Sequence, residues 1–136
     1  MIYAVNDAIQ LVGISDGVDF NAARIHTGCA ARHEDGSSRF VLLKPGIYSV
    51  DFNANIAVPT GQTPGPIQLT LNVDGEIYTG TDAITTPVAV DIYSNVSLHA
   101  LVRVFGCGGN VSVSIVNTSA TPINVQDANI VVEKVA

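Results

Sequence analysis

Apolar and polar residues alternate with a period of two along most of this chain. The longest run begins at Tyr48: Tyr48, Val50, Phe52, Ala54, Ile56 and Val58 fall on one side, and Ser49, Asp51, Asn53 and Asn55 on the other. Neighbouring side chains of an extended strand point to opposite faces, so this run predicts a strand with one buried and one solvated side. Ile67, Leu69, Leu71 and Val73 repeat the pattern against Gln68, Thr70, Asn72 and Asp74. Val88, Val90 and Ile92 form another set, Val111, Val113 and Ile115 a further one, and Ala128, Ile130 and Val132 a last one that Val131 interrupts on its polar side. Val96 to Phe105 differs, because Leu98, Ala100, Val102 and Val104 face Leu101 and Phe105 across the strand and both sides are largely apolar. Such a strand is expected where a second subunit, or the protein's own loops, covers the outer face.

Turn residues separate these runs. Lys44-Pro45-Gly46 precedes the long strand, and Pro59 to Pro66 is rich in Pro and Gly. Asp74-Gly75 reads as a hairpin turn into a short strand Glu76–Thr79. Gly106 to Asn110 and Thr118 to Pro122 make the last two turns. In the first third, Ile2–Val5, Val18–Ile25 and Ser38–Leu43 read as strands, and His26 to Ser37 as a loop. No stretch carries a helical stripe. The reading is one all-β domain over residues 1–136, a two-sheet sandwich or barrel, with 1–17 as an N-terminal strand and connector.

Composition narrows the function classes. Apolar residues make up 47% of the chain and charged residues 13%, against about a quarter charged in ordinary soluble domains. A surface partly hidden between subunits and otherwise covered with Asn, Ser and Thr accounts for this. A net charge of −6 with six Lys and Arg argues against nucleic acid, whose affinity rests on cationic contacts, and against an anionic membrane. No segment is apolar enough to span a bilayer, and the start Met1-Ile2-Tyr3-Ala4 lacks the basic and apolar regions of a signal peptide. Nothing here directs secretion through the general pathway, and a protein released by cell lysis would carry no such signal either. The two cysteines, Cys29 and Cys107, are too few for a disulfide framework. They read as thiols, or as a disulfide or intersubunit contact.

Catalytic chemistry finds little support. His26-x-x-Cys29-x-x-x-His33, with Glu34 nearby, matches no zinc spacing. His99 lies among apolar neighbours, as a packed or subunit-contact residue does. There is no Gly-x-Ser-x-Gly elbow, and Cys107 between glycines reads as an ordinary turn cysteine. Asn95-Val96-Ser97, Asn110-Val111-Ser112 and Asn117-Thr118-Ser119 match the glycosylation triplet but read as polar strand ends. No catalytic, cofactor or metal residue is assigned. Aromatic rings are scarce, and Tyr78 and Tyr93 are the candidates if a sugar is bound.

With the strands placed, Phe40 to Val58, with Lys44-Pro45-Gly46-Ile47-Tyr48 between its two strands, resembles the "F…PG.Y" strand pair of the tumour-necrosis-factor-like superfamily, which includes the globular heads of complement-type proteins. The order that follows fits as well: a strand ending in Asp74-Gly75, then Val88–Ile92, Val96–Phe105, Val111–Asn117 and a closing Ala128–Lys134. The resemblance covers residues 18 to 136. It implies a jelly-roll sandwich that forms tight trimers, with Val96–Phe105 and parts of the first and last strands facing neighbouring subunits. Tyr93, His99, Leu101, Arg103 and Phe105 are the interface residues it implies. The aromatic-glycine motif that closes many animal members is absent, which argues against an animal-type receptor role. The abrupt start and the closing Ile130 to Ala136 look similar to short bacterial and bacteriophage versions, such as head-fibre or capsid-decoration proteins and spore-surface modules. The partners so implied are the chain itself as a homotrimer and capsid or fibre proteins, or a host-surface glycan, and the location so implied is a virion, or the cytoplasm before lysis.

Overall fold

A computed structural model of the chain describes residues 1–106 and 110–136. The strands are β1 (Ile2–Asn6), β2 (Gln10–Val12), β3 (Ala22–His26), β4 (Ala31–His33), β5 (Phe40–Leu42), β6 (Gly46–Ala57), β7 (Ile67–Val73), β8 (Glu76–Ile77), β9 (Ala83–Thr85), β10 (Ser94–Val104), β11 (Val111–Asn117) and β12 (Ile123–Lys134). They form two antiparallel sheets. One has the order β10-β6-β12-β1-β3, with β2 paired to β12 beyond the end of β1; the other has the order β4-β5-β11-β7-β8, with β9 also on β7. Among the described residues there is no helix, and so none long and apolar enough to cross a membrane.

The core lies between the sheets, where period-two sequences must place their apolar sides. Tyr48, Val50, Phe52, Ala54, Ile56 and Val58 are all buried, as the alternation predicts, and so are Ile67, Leu69 and Leu71. The hydroxyl of Tyr48 lies 2.8 Å from the Lys44 carbonyl and 3.0 Å from that of Ala30, and accepts the Lys44 N–H at 3.2 Å. A buried phenol is thereby satisfied, and the β5–β6 turn is tied to the strand that follows it. At the layer centre Phe20 meets Phe40 edge-on at 5.5 Å between ring centres, and Phe52 at 6.3 Å.

Four expectations are corrected. Val88–Ile92 is not a strand: Val88 is 90% exposed, and only Val90 packs on the core. Asp91 adopts φ 57°, a left-handed conformation that breaks an extended run, while its N–H bonds the Val58 carbonyl at 2.9 Å. Val18–Ile25 is a strand only from Ala22. Before that the chain crosses between sheets, so Val18 N–H bonds Ile115, Phe20 bonds Ser37 and Asn21 bonds Val5. The loop expected from His26 to Ser37 contains β4, which pairs with β5 as a hairpin. Thr70 also leaves the expected polar face; it is fully buried, and its hydroxyl meets Asp82 and Thr118, each at 2.7 Å.

The N-terminal connector is held by Asn117. This residue is fully buried, and its side-chain amide donates to the carbonyls of Val12, Gly13 and Thr121 at 3.0–3.2 Å. Its carbonyl oxygen accepts the Ser119 N–H at 2.9 Å. The glycosylation triplet at Asn117 is thus a strand-end anchor with no free amide.

The β7–β8 hairpin turns on Asp74 and Gly75, with φ of 52° and 83°, the two positive values of a type I′ turn. A Cβ added at Gly75 meets nothing within 4 Å. Gly75→Ala is therefore expected to destabilise the fold by about 1 kcal/mol through backbone conformation alone. Urea unfolding checks this, as a lower midpoint with an unchanged slope.

Candidate functional site: the outer face of the β10-β6-β12-β1 sheet

β10, β6, β12 and β1 lie side by side in one sheet, so the Val96–Phe105 segment and the first and last strands share a single outward face. Its composition follows from register. β10 pairs with β6 over its whole length, which sets Arg103 opposite Ile47, Leu101 opposite Ser49, His99 opposite Asp51, Ser97 opposite Asn53 and Asn95 opposite Asn55. β12 and β1 extend these rows. Asp51 faces Val131, Val131 faces Tyr3, and Tyr3 faces Ile25 of β3, so one row runs His99, Asp51, Val131, Tyr3, Ile25. A neighbouring row runs Leu101, Ser49, Glu133, and another runs Ser97, Asn53, Asn129.

One device keeps these rows aligned. In β12 the pairing with β6 shifts between Gln126 and Asn129, and Asp127 sits there at φ 53°. This bulge inserts one residue, so that Gln126 and Asn129 both point outward while Val125, Ala128 and Ile130 stay in the core.

Toward the Asn95 end, side-chain amides bond one another. Asn53 and Asn95 exchange hydrogen bonds at 3.2 and 3.0 Å, Asn95 also donates to Asn55 at 3.1 Å, and Asn55 donates to Gln126 at 3.4 Å. The Asn95 amide is therefore occupied by its neighbours. At the centre, His99 Nδ1 bonds Asp51 Oδ1, while the Ser49 hydroxyl donates to Asp51 Oδ2 at 3.1 Å. The ring and the carboxylate are about half exposed, at 59% and 51%. Beside them lies a shallow depression of about 360 Å³, lined by Asp51, Asn53, Ser97, His99, Asn129 and Val131 among others. Ser97 lies two residues from His99 on the same outward side of β10, opposite Asn53.

Toward the other end, Leu101 is 52% exposed and Phe105 60%. Arg103 lies over the Phe105 ring at 4.8 Å from its centre. His99, Leu101, Arg103 and Phe105 are thus brought together along one side of β10. Tyr93 precedes Ser94 at the opposite end of the strand, roughly 20 Å from His99 and roughly 40 Å from Phe105 at strand spacing. In a single chain the outer side of β10 is solvent-facing, so the packed alternative for His99 does not hold.

The remaining candidates fall elsewhere. His26 Nε2 lies 3.2 Å from the Ala31 carbonyl, and His33 Nε2 lies 2.9 Å from that of Ser37. His33 also stacks on Phe40 at 4.2 Å. His33 is held within the β4–β5 hairpin, and His26 by the residues that follow β3. Cys29 is exposed in the β3–β4 turn; Cys107 lies outside the described residues. The Tyr78 hydroxyl donates to the Leu101 carbonyl at 2.7 Å and so covers part of the free edge of β10. Tyr78 and Tyr93 do not form one sugar platform, since Leu101 and Ser94 are roughly 23 Å apart along the strand. The sequence reading missed the Asp51–His99 pair and the amide cluster, because cross-strand partners depend on register. The signal was present in the alternation of Asp51, Asn53 and Asn55.

No protein-family model and no curated protein matches the chain. Among solved structures, it is similar to the Eiger TNF from S. frugiperda, with 12% identity, 99% of this chain and 92% of that one covered, and a TM-score of 0.70. It is similar to the globular domain of zebrafish complement 1qA, with 14% identity, 96% and 94% covered, and a TM-score of 0.66. PRD1 vertex protein P5 matches with 14% identity, 99% and 96% covered, and a TM-score of 0.55. The fold is therefore the two-sheet antiparallel jelly roll of TNF-like and complement globular domains.

Proposed function

We propose that this chain is a non-enzymatic structural and interaction module, a homotrimer on the surface of a phage or prophage particle, acting as a capsid decoration, head fibre or fibre tip. The observation that carries it is the outer face just described. It joins apolar Leu101, Val131, Tyr3 and Ile25 to self-satisfied amides and a paired His–Asp, with few net charges to desolvate. Such a face suits burial against copies of itself. The three segments that the sequence resemblance assigns to subunit contacts all lie on it. A charged fraction of 13% fits a surface partly hidden in an assembly. The likeness in fold to a vertex protein supports the particle role by analogy.

Size-exclusion chromatography with light scattering tests the assembly. The expected mass is three times 14.2 kDa at micromolar concentration, and a stable single copy overturns it. A second reading, a carbohydrate- or receptor-binding module on a bacterial or spore surface, is favoured by the exposed Pro59–Pro66 loop. A glycan array separates the two, because specific binding abolished by changes in that loop supports the second.

A further inference from the structure

We propose that the outward side of the β4–β5 hairpin binds the carboxylate of an acidic sugar, held between Arg32 and Arg39. The site lies on the β4-β5-β11-β7 sheet, away from the face assigned above to subunit contacts. It therefore goes beyond the trimeric reading and does not rest on it.

Register builds the site. Arg32 pairs with Val41 and His33 with Phe40, while Ala31, Phe40 and Leu42 are buried. Arg32, Arg39 and Val41 thus share the outward side, with Arg32 and Arg39 as diagonal neighbours about 7–8 Å apart. Together with His33, Glu34 and Ser37 they line a cavity of about 230 Å³. The whole chain has six Lys and Arg against a net charge of −6, so two of them in one cavity reverse the sign of the surface locally. Among the described residues no carboxylate forms an ion pair with either guanidinium. A ligand anion meets them without displacing a partner. The cavity is smaller than the roughly 300–1,000 Å³ of drug-sized sites, which limits the occupant to one small polar group or ring.

The lining selects among anions. A guanidinium presents a planar fork that matches a carboxylate through two parallel N–H···O bonds. The Ser37 hydroxyl accepts the Arg39 N–H at 3.0 Å, which leaves its own hydrogen to donate. The ionised Glu34 only accepts; it repels a compact dianion such as sulfate and suits the hydroxyls of a sugar. Val41 is half-buried and offers apolar surface to ring carbons. Donors for a carboxylate, an acceptor for hydroxyls and an apolar contact are together the chemistry of a sugar acid. The hairpin is set before a ligand arrives, since His33 stacks on Phe40 at 4.2 Å and its Nε2 lies 2.9 Å from the Ser37 carbonyl. Arg39 also lines a second depression, of about 350 Å³, with Asp74, Gly75, Ser112 and Ser114. Asp74 is already engaged there by the N–H and hydroxyl of Ser112, at 2.9 and 3.4 Å. A neighbouring sugar residue has room in it, with Arg39 between the two.

The test titrates the full chain, isotope-labelled for amide NMR, with methyl glucuronide, methyl glucoside and sodium sulfate in separate arms. The expected result is saturable shifts with the glucuronide, confined to residues 32–41 and 112–114, and none with the neutral glucoside. Arg32→Ala and Arg39→Ala are each expected to weaken glucuronide binding about 10-fold or more. Arg39→Lys is expected to weaken it as well, because an ammonium keeps the charge and loses the fork. Both arginines are exposed, and unchanged far-ultraviolet circular dichroism shows that the variants fold. Undiminished binding by the two alanine variants, or shifts confined to another part of the chain, overturns the site. Equal shifts with sulfate mean an adventitious ion only and overturn the sugar assignment, as equal shifts with the glucoside do. Glucuronide binding by a single copy upholds this site while overturning the trimeric reading.

Discussion

Phe20→Ala is expected to destabilise the fold by about 3–5 kcal/mol, a large share of the roughly 5–15 kcal/mol available to a single domain. Phe20 is fully buried although it belongs to no strand. It stands at the point where the chain passes from one sheet to the other, and its ring touches both layers. Phe40 and His33 belong to the β5 side, with ring centres at 5.5 and 6.4 Å, and Phe52 belongs to the β6 side, at 6.3 Å. Removing it leaves a void bounded by rigid strands that cannot collapse into it, and it loses edge-to-face contacts worth about 0.5–1.5 kcal/mol each beyond area. Urea unfolding at matched protein concentration measures the change, since an assembled protein's stability depends on concentration. A loss below about 1 kcal/mol, within the range of ordinary surface changes, would mean that Phe20 does not tie the layers together.

Leu101→Asp is expected to do the opposite: to leave the single chain folded and abolish its assembly. Leu101 is half exposed in one copy, and its part in the fold is a backbone carbonyl that accepts from Tyr78. Its replacement should change the stability of a single copy by no more than about 0.5 kcal/mol. In a trimer the same change places three carboxylates in one interface, and like charges brought together there cost several kcal/mol. Light scattering should fall to the mass of one chain while the far-ultraviolet circular dichroism stays that of wild type. Ser114→Asp, on the outward side of β11 opposite Asn72, is the control and should leave the mass unchanged. If Leu101→Asp remains at the wild-type mass, the β10 face is not where copies meet.

Much of this architecture was legible because a sheet with one dry face imposes a period of two. Tyr48 to Val58 shows this best, since all six alternate apolar residues are buried. The same rule misled at Val88, Val90 and Ile92, where the alternation persists but Asp91 turns the backbone left-handed. It also missed β2, whose three residues are too short to show a period, and β4, which is held by pairing with β5 and not by its own pattern. Of the residues proposed for an interface, His99, Leu101, Arg103 and Phe105 share one side of β10 and its end. Tyr93 has the same spacing in sequence but precedes the first residue of the strand.

From the residues alone came the class of fold, the buried side of each long strand, the low charge, and a column along β10 with no evident partner. Those follow from local geometry, since each residue's face is set by its position along its own strand. Only the tertiary structure decided that Asp51 stands behind His99, that Asn53, Asn55, Asn95 and Gln126 satisfy one another, and that Phe20 closes the core. Those contacts join residues that are remote in sequence, and a shift of one position in register would turn each side chain to the other face.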